Sequence, residues 1–223
     1  MVEQLLETST LISSFSVIIP LVIAVTRFKQ LSRAQRLLTY LLAISLIVEI
    51  IANLLWFQQK RNLVVYNTFA IVHFNFILLI YLNQLGSSWT KPLKVLIVLF
   101  NAFFLVDTLL LKKLTDFGYY FNSNITTSAS LIFIFLALKY FHKLLKEIKY
   151  QKLEKNPLFW ISTGLTLYYS GTLILFLLGN QVNQDEAATL YYEIALAAWG
   201  LNSLFNLLLN TTYSIALWVK PAK

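Results

Sequence analysis

The chain has 223 residues, of which 58% are hydrophobic and 15% aromatic against only 13% charged, with a formal net charge of +8. Soluble domains of this size seldom have that balance, and about 20 mostly apolar residues suffice to cross a bilayer as a helix, so the composition leaves no room for a separate soluble domain. The absence of cysteine removes disulfides, thiolate catalysis and cysteine-ligated metals from consideration.

Taken in chain order, the acidic stretch MVEQLLETST precedes the first apolar run, and the first positive cluster follows it. A cleaved signal peptide has the opposite order, so the first span is expected to be retained. Seven membrane-spanning helices are predicted, over residues 10–28, 37–57, 63–85, 93–111, 126–141, 158–178 and 188–219. The expected fold is therefore an all-α, seven-transmembrane-helix bundle forming a single domain. The fifth span follows the polar stretch YYFNSNITTSAS. Between the fifth and sixth spans, KYFHKLLKEIKYQKLEKNP reads as a continuation of the fifth helix, with Asn156 as N-cap and Pro157 at the first position of the sixth.

Lys and Arg are retained on the cytoplasmic side during insertion. With the N-terminus outside, the inner segments hold Arg27, Lys29, Arg33, Arg36, Lys91, Lys94, Lys139, Lys143, Lys146, Lys149, Lys152, Lys155, Lys220 and Lys223, fourteen of the 18 basic residues. Only Lys60, Arg61, Lys112 and Lys113 remain outside. The expectation is N-terminus out and C-terminus in, in the cytoplasmic (inner) membrane of a bacterium. Trp56, Trp89, Trp160 and Trp218 fall near span ends, where an amphipathic ring prefers the interface. The basic residues are topology determinants beside anionic lipid, not a nucleic-acid surface.

Polar residues inside the spans are the functional evidence. The second span carries a stripe of Ser45, Glu49, Asn53 and Trp56, and the third places Tyr66 and His73 on one side, with Asn67 and Asn75 nearby. The fourth holds Asn101 and Asp107, and the sixth Ser162, Thr166, Tyr169 and Ser170. In the seventh, Glu193 lies near the outer end, and Asn202, Asn206 and Asn210 repeat at i, i+4, i+8. Ionisable groups at membrane depth face a bundle interior or a wet cavity. With the topology applied, Glu49, His73, Asp107 and Glu193 all fall in the middle or outer half, which points to an outward-facing polar cavity. Ligand or proton contacts are assigned to Glu49, Asn53, His73, Asp107, Tyr169 and Asn202. Packing or switching is assigned to Asn206, Asn210 and Glu193.

Catalysis finds no support. The two histidines, His73 and His142, lie on different helices, there is no H-E-x-x-H, and there is no G-x-S-x-G. No enzyme activity, metal or cofactor is expected. A retinal Schiff base would lack its lysine in the seventh span, and no paired helix breaks of the kind transporters use are present.

The segments NPLFWISTGLTLYYSGTLILF and LNSLFNLLLNTTYSIALW resemble those of small seven-helix membrane proteins of Bacteroidota associated with histidine-kinase signalling. That resemblance implies a sensor module and no particular site residues. A receptor-like sensor is the resulting expectation, with a separate histidine kinase or other cytoplasmic partner docking at the basic loop between the fifth and sixth helices. The alternatives are a small-solute or proton-coupled transporter, in which Glu49, His73 and Asp107 relay charge, and a structural subunit of a membrane complex.

Overall fold

A computed structural model describes residues 2–82, 84–111, 117–146, 153–182 and 189–220, with side chains except those of 2–7, 111, 178–182, 189–197 and 199. All secondary structure among the described residues is helical. α1 (Val2–Phe15) and α2 (Ile18–Arg27) make one bent span. Pro20 has no N–H, so the Ser16 carbonyl cannot receive the usual i+4 donor and instead accepts from Ile19 at 3.1 Å. The Ser16 hydroxyl donates to the Ser13 carbonyl at 2.6 Å, which settles the break internally. The first span is therefore longer than the apolar run 10–28 and is not straight.

α3 (Arg33–Phe57) starts on a capping box in which Ser32 and Gln35 satisfy each other's backbone N–H groups. It stops at Gln59, whose φ of 55° is left-handed. Lys60 N then donates to the Leu55 carbonyl and Gln59 N to that of Trp56, both at 2.8 Å, so a Schellman turn leads into α4 (Leu63–Tyr81). α5 (Ser87–Val106) follows Gly86, which has φ 104°, and runs on as a π turn at Asp107–Leu111. α6 (Ser123–Lys146) begins three residues before the apolar run, because the Asn122 side-chain oxygen accepts from the Ile125 N–H and the sequence SNITTSAS can be helical once capped. α7 (Pro157–Val182) has Asn156 at its N-cap, accepting from Leu158 at 3.0 Å and Phe159 at 3.4 Å. α8 (Thr189–Trp218) is 30 residues long. Lys149 and Lys152 of the basic linker, and Lys112, Lys113 and Lys223, lie outside the described residues.

Among the described residues, six helical segments are long and apolar enough to cross a membrane: Thr8–Gln30, Arg33–Phe57, Leu63–Tyr81, Ser87–Leu110, Ser123–Lys146 and Pro157–Leu177. Their outward faces carry large apolar side chains, such as Val25 and Ile19, Leu54, Val98, Leu138 and Ile174, while Gln35, Asn67, Asp107 and Asn210 are buried. Apolar groups outside and hydrogen-bonded polar groups inside are what a bilayer imposes on a helical protein.

α3 packs on α4, α4 on α6, α6 on α7, α7 on α8, and α8 on α1 and α2, which close back onto α3. This order makes a ring. α7 and α8 approach most closely where Gly164 and Gly171 leave room: a Cβ at Gly164 would meet the Thr212 side chain, and one at Gly171 the Phe205 ring. α5 stands outside the ring, docked on α4 by a reciprocal amide pair, Asn75 to Asn101 at 3.2 Å and Asn101 to Asn75 at 2.9 Å.

The end of the bundle rich in Lys and Arg is closed by polar clasps. Arg27 donates to the Trp218 carbonyl and lies 4.9 Å from the indole. Gln35, fully buried, donates to the carbonyls of Ala216 at 2.8 Å and Val219 at 3.0 Å. Tyr81 and Ser162 share a 2.6 Å hydrogen bond, and Lys143 donates to the Gln84 carbonyl at 2.5 Å.

Candidate functional site

Inside the ring lies a cavity of about 350 Å³, and all six ring members reach it, counting the bent α1–α2 span as one. α1 contributes Ser13 and Ser14, α3 Ser45 and Glu49, α4 Tyr66 and His73, α6 Thr126 and Phe133, α7 Tyr168 and Tyr169, and α8 the asparagine stripe. α5 contributes nothing. The lining starts at Leu63, the first residue of α4, and stops at His73, so the cavity occupies the half of α4 away from the basic end.

Glu49 and His73, both assigned to ligand or proton contacts, do not hydrogen-bond each other. In the structure each has its own tyrosine. Tyr66 donates to Glu49 Oε2 at 3.2 Å, and the Ser14 hydroxyl also hydrogen-bonds that carboxylate. Tyr169 and His73 Nδ1 lie 3.2 Å apart, and the imidazole is boxed by the Phe69 and Phe133 rings, each centred 5.6 Å away. Because i and i+7 on α4 fall on the same side, Tyr66 and His73 both face the cavity, one near each end of its α4 wall.

Helix α8 binds its neighbours residue by residue. Asn202 accepts from the Tyr168 hydroxyl at 3.0 Å. Asn206 donates to the Ser13 carbonyl at 3.2 Å and the Ser13 hydroxyl at 3.0 Å. Asn210 donates to the Ser16 hydroxyl at 2.7 Å. Thus the stripe connects two walls: Asn202 to α7, Asn206 to α1 and Asn210 to the bend between α1 and α2.

Glu49, His73, Tyr169, Asn202, Asn206 and Asn210 therefore line one cavity. Asn53 and Asp107 do not line it. Asn53 donates back to the Glu49 backbone carbonyl at 2.8 Å, a local helix bond. Asp107 is fully buried just past the end of α5, accepting from Asn124 of α6 at 2.8 Å. Position in the span put it level with the cavity residues, but helix packing leaves it out of the lining. The side chain of Glu193 lies outside the described residues.

Two sets of residues carry roles that the sequence pattern did not assign. Ser13, Ser14 and Ser16 supply partners for Asn206, Glu49 and Asn210. Three serines in four residues, four residues before a proline, were the available signal. Asn67 is the second: 2% exposed, it donates to the carbonyls of Phe117 at 2.7 Å and Tyr120 at 2.9 Å and accepts from Asn122 N–H at 3.0 Å. It thereby fastens the loop whose Phe121 packs on Phe176 and closes part of the cavity, the two rings stacking at 5.8 Å. Nothing in its local sequence announces that role.

Chemically the site offers an acceptor carboxylate, an imidazole, several hydroxyls and amides, and an aromatic surround. Among the described residues no group of His, Asp and Glu could hold a metal ion. The chain matches no protein-family profile, no curated protein and no solved structure.

Proposed function

We propose that the chain is a receptor-like sensor of the cytoplasmic membrane: a seven-span bundle with its N-terminus outside, in which α1–α2 is the first span and α8 the seventh. It binds a small molecule from outside and signals through a separate cytoplasmic protein at the linker between α6 and α7. One observation carries this reading: the polar groups of all six ring members converge on one cavity, while the opposite, basic end is closed by Arg27, Gln35, Tyr81 and Lys143. The positive-inside rule puts that closed end in the cytoplasm. A ligand in the cavity touches every wall, so it biases the ring only if it prefers one packing. The resemblance of 156–176 and 201–218 to seven-helix proteins associated with histidine kinases supplies the class of partner.

Because the chain has no cysteine, single engineered cysteines test the proposal cleanly. Tyr120→Cys should react with a membrane-impermeant maleimide from outside, and Lys146→Cys only after permeabilisation. A fluorophore at Lys146→Cys should respond when small anions, amines, lipids or peptides are screened, and His73→Ala should abolish the response to whichever compound is active. A carrier is the second reading, favoured by the break at Ser16 and Pro20 beside the cavity. Uptake into proteoliposomes that is lost in Glu49→Gln would decide for the carrier and against the sensor.

A further inference from the structure

The sensor reading leaves the ligand's chemistry open, and the cavity wall narrows it. Eight of the 27 lining residues are Phe or Tyr, among them Tyr66, Phe69, Phe121, Tyr168 and Phe176. Among the described residues no Lys or Arg lines the cavity, and the one acid is Glu49. Its carboxylate meets only neutral hydroxyls, those of Tyr66 and Ser14. A carboxylate has about four acceptor positions, so two partners leave it room for another donor. A charge held at membrane depth without a counter-charge is expensive, and a cationic ligand removes that expense on arrival.

An anion would meet Glu49 with nothing to offset the repulsion. A neutral ligand would gain from the rings but leave the carboxylate uncompensated. A cation with an apolar body meets both features at once, since ring faces attract a desolvated ammonium. The volume of about 350 Å³ lies at the small end of the roughly 300–1,000 Å³ that ligand pockets span.

From this we infer that the cavity is a binding site for a small organic cation, a protonated amine or quaternary ammonium with an apolar body, with Glu49 as its counter-ion and the tyrosine and phenylalanine rings as its walls. The inference rests on the proposed role of the cavity as the receiving site and assigns the ligand class.

The test uses four probes of similar size on the full chain in detergent: 2-phenylethylammonium, benzyltrimethylammonium, 2-phenylethanol and phenylacetate. Calorimetry and thermal shift should rank both cations about ten-fold or more tighter than the alcohol, with phenylacetate not binding. Glu49→Gln should erase the preference for cations while leaving the alcohol's affinity unchanged. Glu49→Asp should retain the preference, and Asn53→Ala, outside the cavity, should leave all four affinities as they are. An alcohol or carboxylate that binds as tightly as the cations, no cation binding at all, or a cation preference that survives Glu49→Gln would each overturn the inference. If Glu49→Gln fails to fold, the ranking of the four probes on the unmodified chain decides by itself. Cation binding without a signal from the Lys146→Cys fluorophore keeps the ligand class and overturns the sensor. A fluorophore signal from a neutral or anionic compound alone does the reverse.

Discussion

Replacing Asn67 by alanine removes three hydrogen bonds from one side chain, to Phe117, Tyr120 and Asn122. A net hydrogen bond contributes about 0.5–1.5 kcal/mol, and an orphaned buried group costs more. Here the loop is partly wet, since Tyr119 and Tyr120 are exposed, so the freed carbonyls can turn toward water. Asn67→Ala should therefore cost about 2–3 kcal/mol, below the three-bond maximum. Asn67→Asp is almost the same shape, keeps the acceptor for the Asn122 N–H and turns the donor toward two carbonyls into a second acceptor. It should be worse than alanine. Denaturant titration of purified protein in micelles measures both, and protease nicking of the 117–122 loop should rise in parallel. Asn67→Ala within 0.5 kcal/mol of the parent, or Asn67→Asp more stable than Asn67→Ala, would refute the reasoning that hydrogen bonds rather than packing hold this loop.

Five further outcomes follow from the same geometry. Asn206→Ala and Asn210→Ala should each cost on the order of 0.5–2 kcal/mol, and double-mutant cycles should couple Asn206 to Ser13 and Asn210 to Ser16, while Asn53→Ala stays within about 0.5 kcal/mol. Asn202, whose partner Tyr168 shares the cavity wall, should change the response of the Lys146→Cys fluorophore when replaced by alanine, with stability moving by less than about 1 kcal/mol. Gly164→Ala should destabilise by about 1–3 kcal/mol, because the new methyl meets β-branched Thr212, stiff at χ1. Gly171→Ala meets the movable tip of the Phe205 ring and should be rescued in an unfolding titration by Phe205→Leu. At the two positive-φ positions the signs should be opposite: Gln59→Gly should raise stability and Gly86→Ala lower it, each by about 1 kcal/mol.

The helical segments and some of their ends could be read from one dimension, because a span is an apolar length and a cap is a local hydrogen bond. Asn156 before Pro157 is the plainest case, and its oxygen meets the expected N–H groups. The places of Glu49, His73 and the asparagines along their helices were legible for the same reason, since height along a helix is only residue number times rise. What the one-dimensional pattern could not hold was which helices become neighbours. Asp107 has the depth of a cavity residue, but α5 docks outside the ring and carries it away. Ser13, Ser14 and Ser16 have no distinctive place in the pattern, yet they complete the partners of Glu49, Asn206 and Asn210, because α1 and α2 pack beside α8. Burial, depth and capping are set by nearest neighbours in sequence and by the solvent. Partnership between side chains 193 residues apart, such as Ser13 and Asn206, is set only when helices choose each other through close packing and the satisfaction of polar groups that lipid cannot solvate.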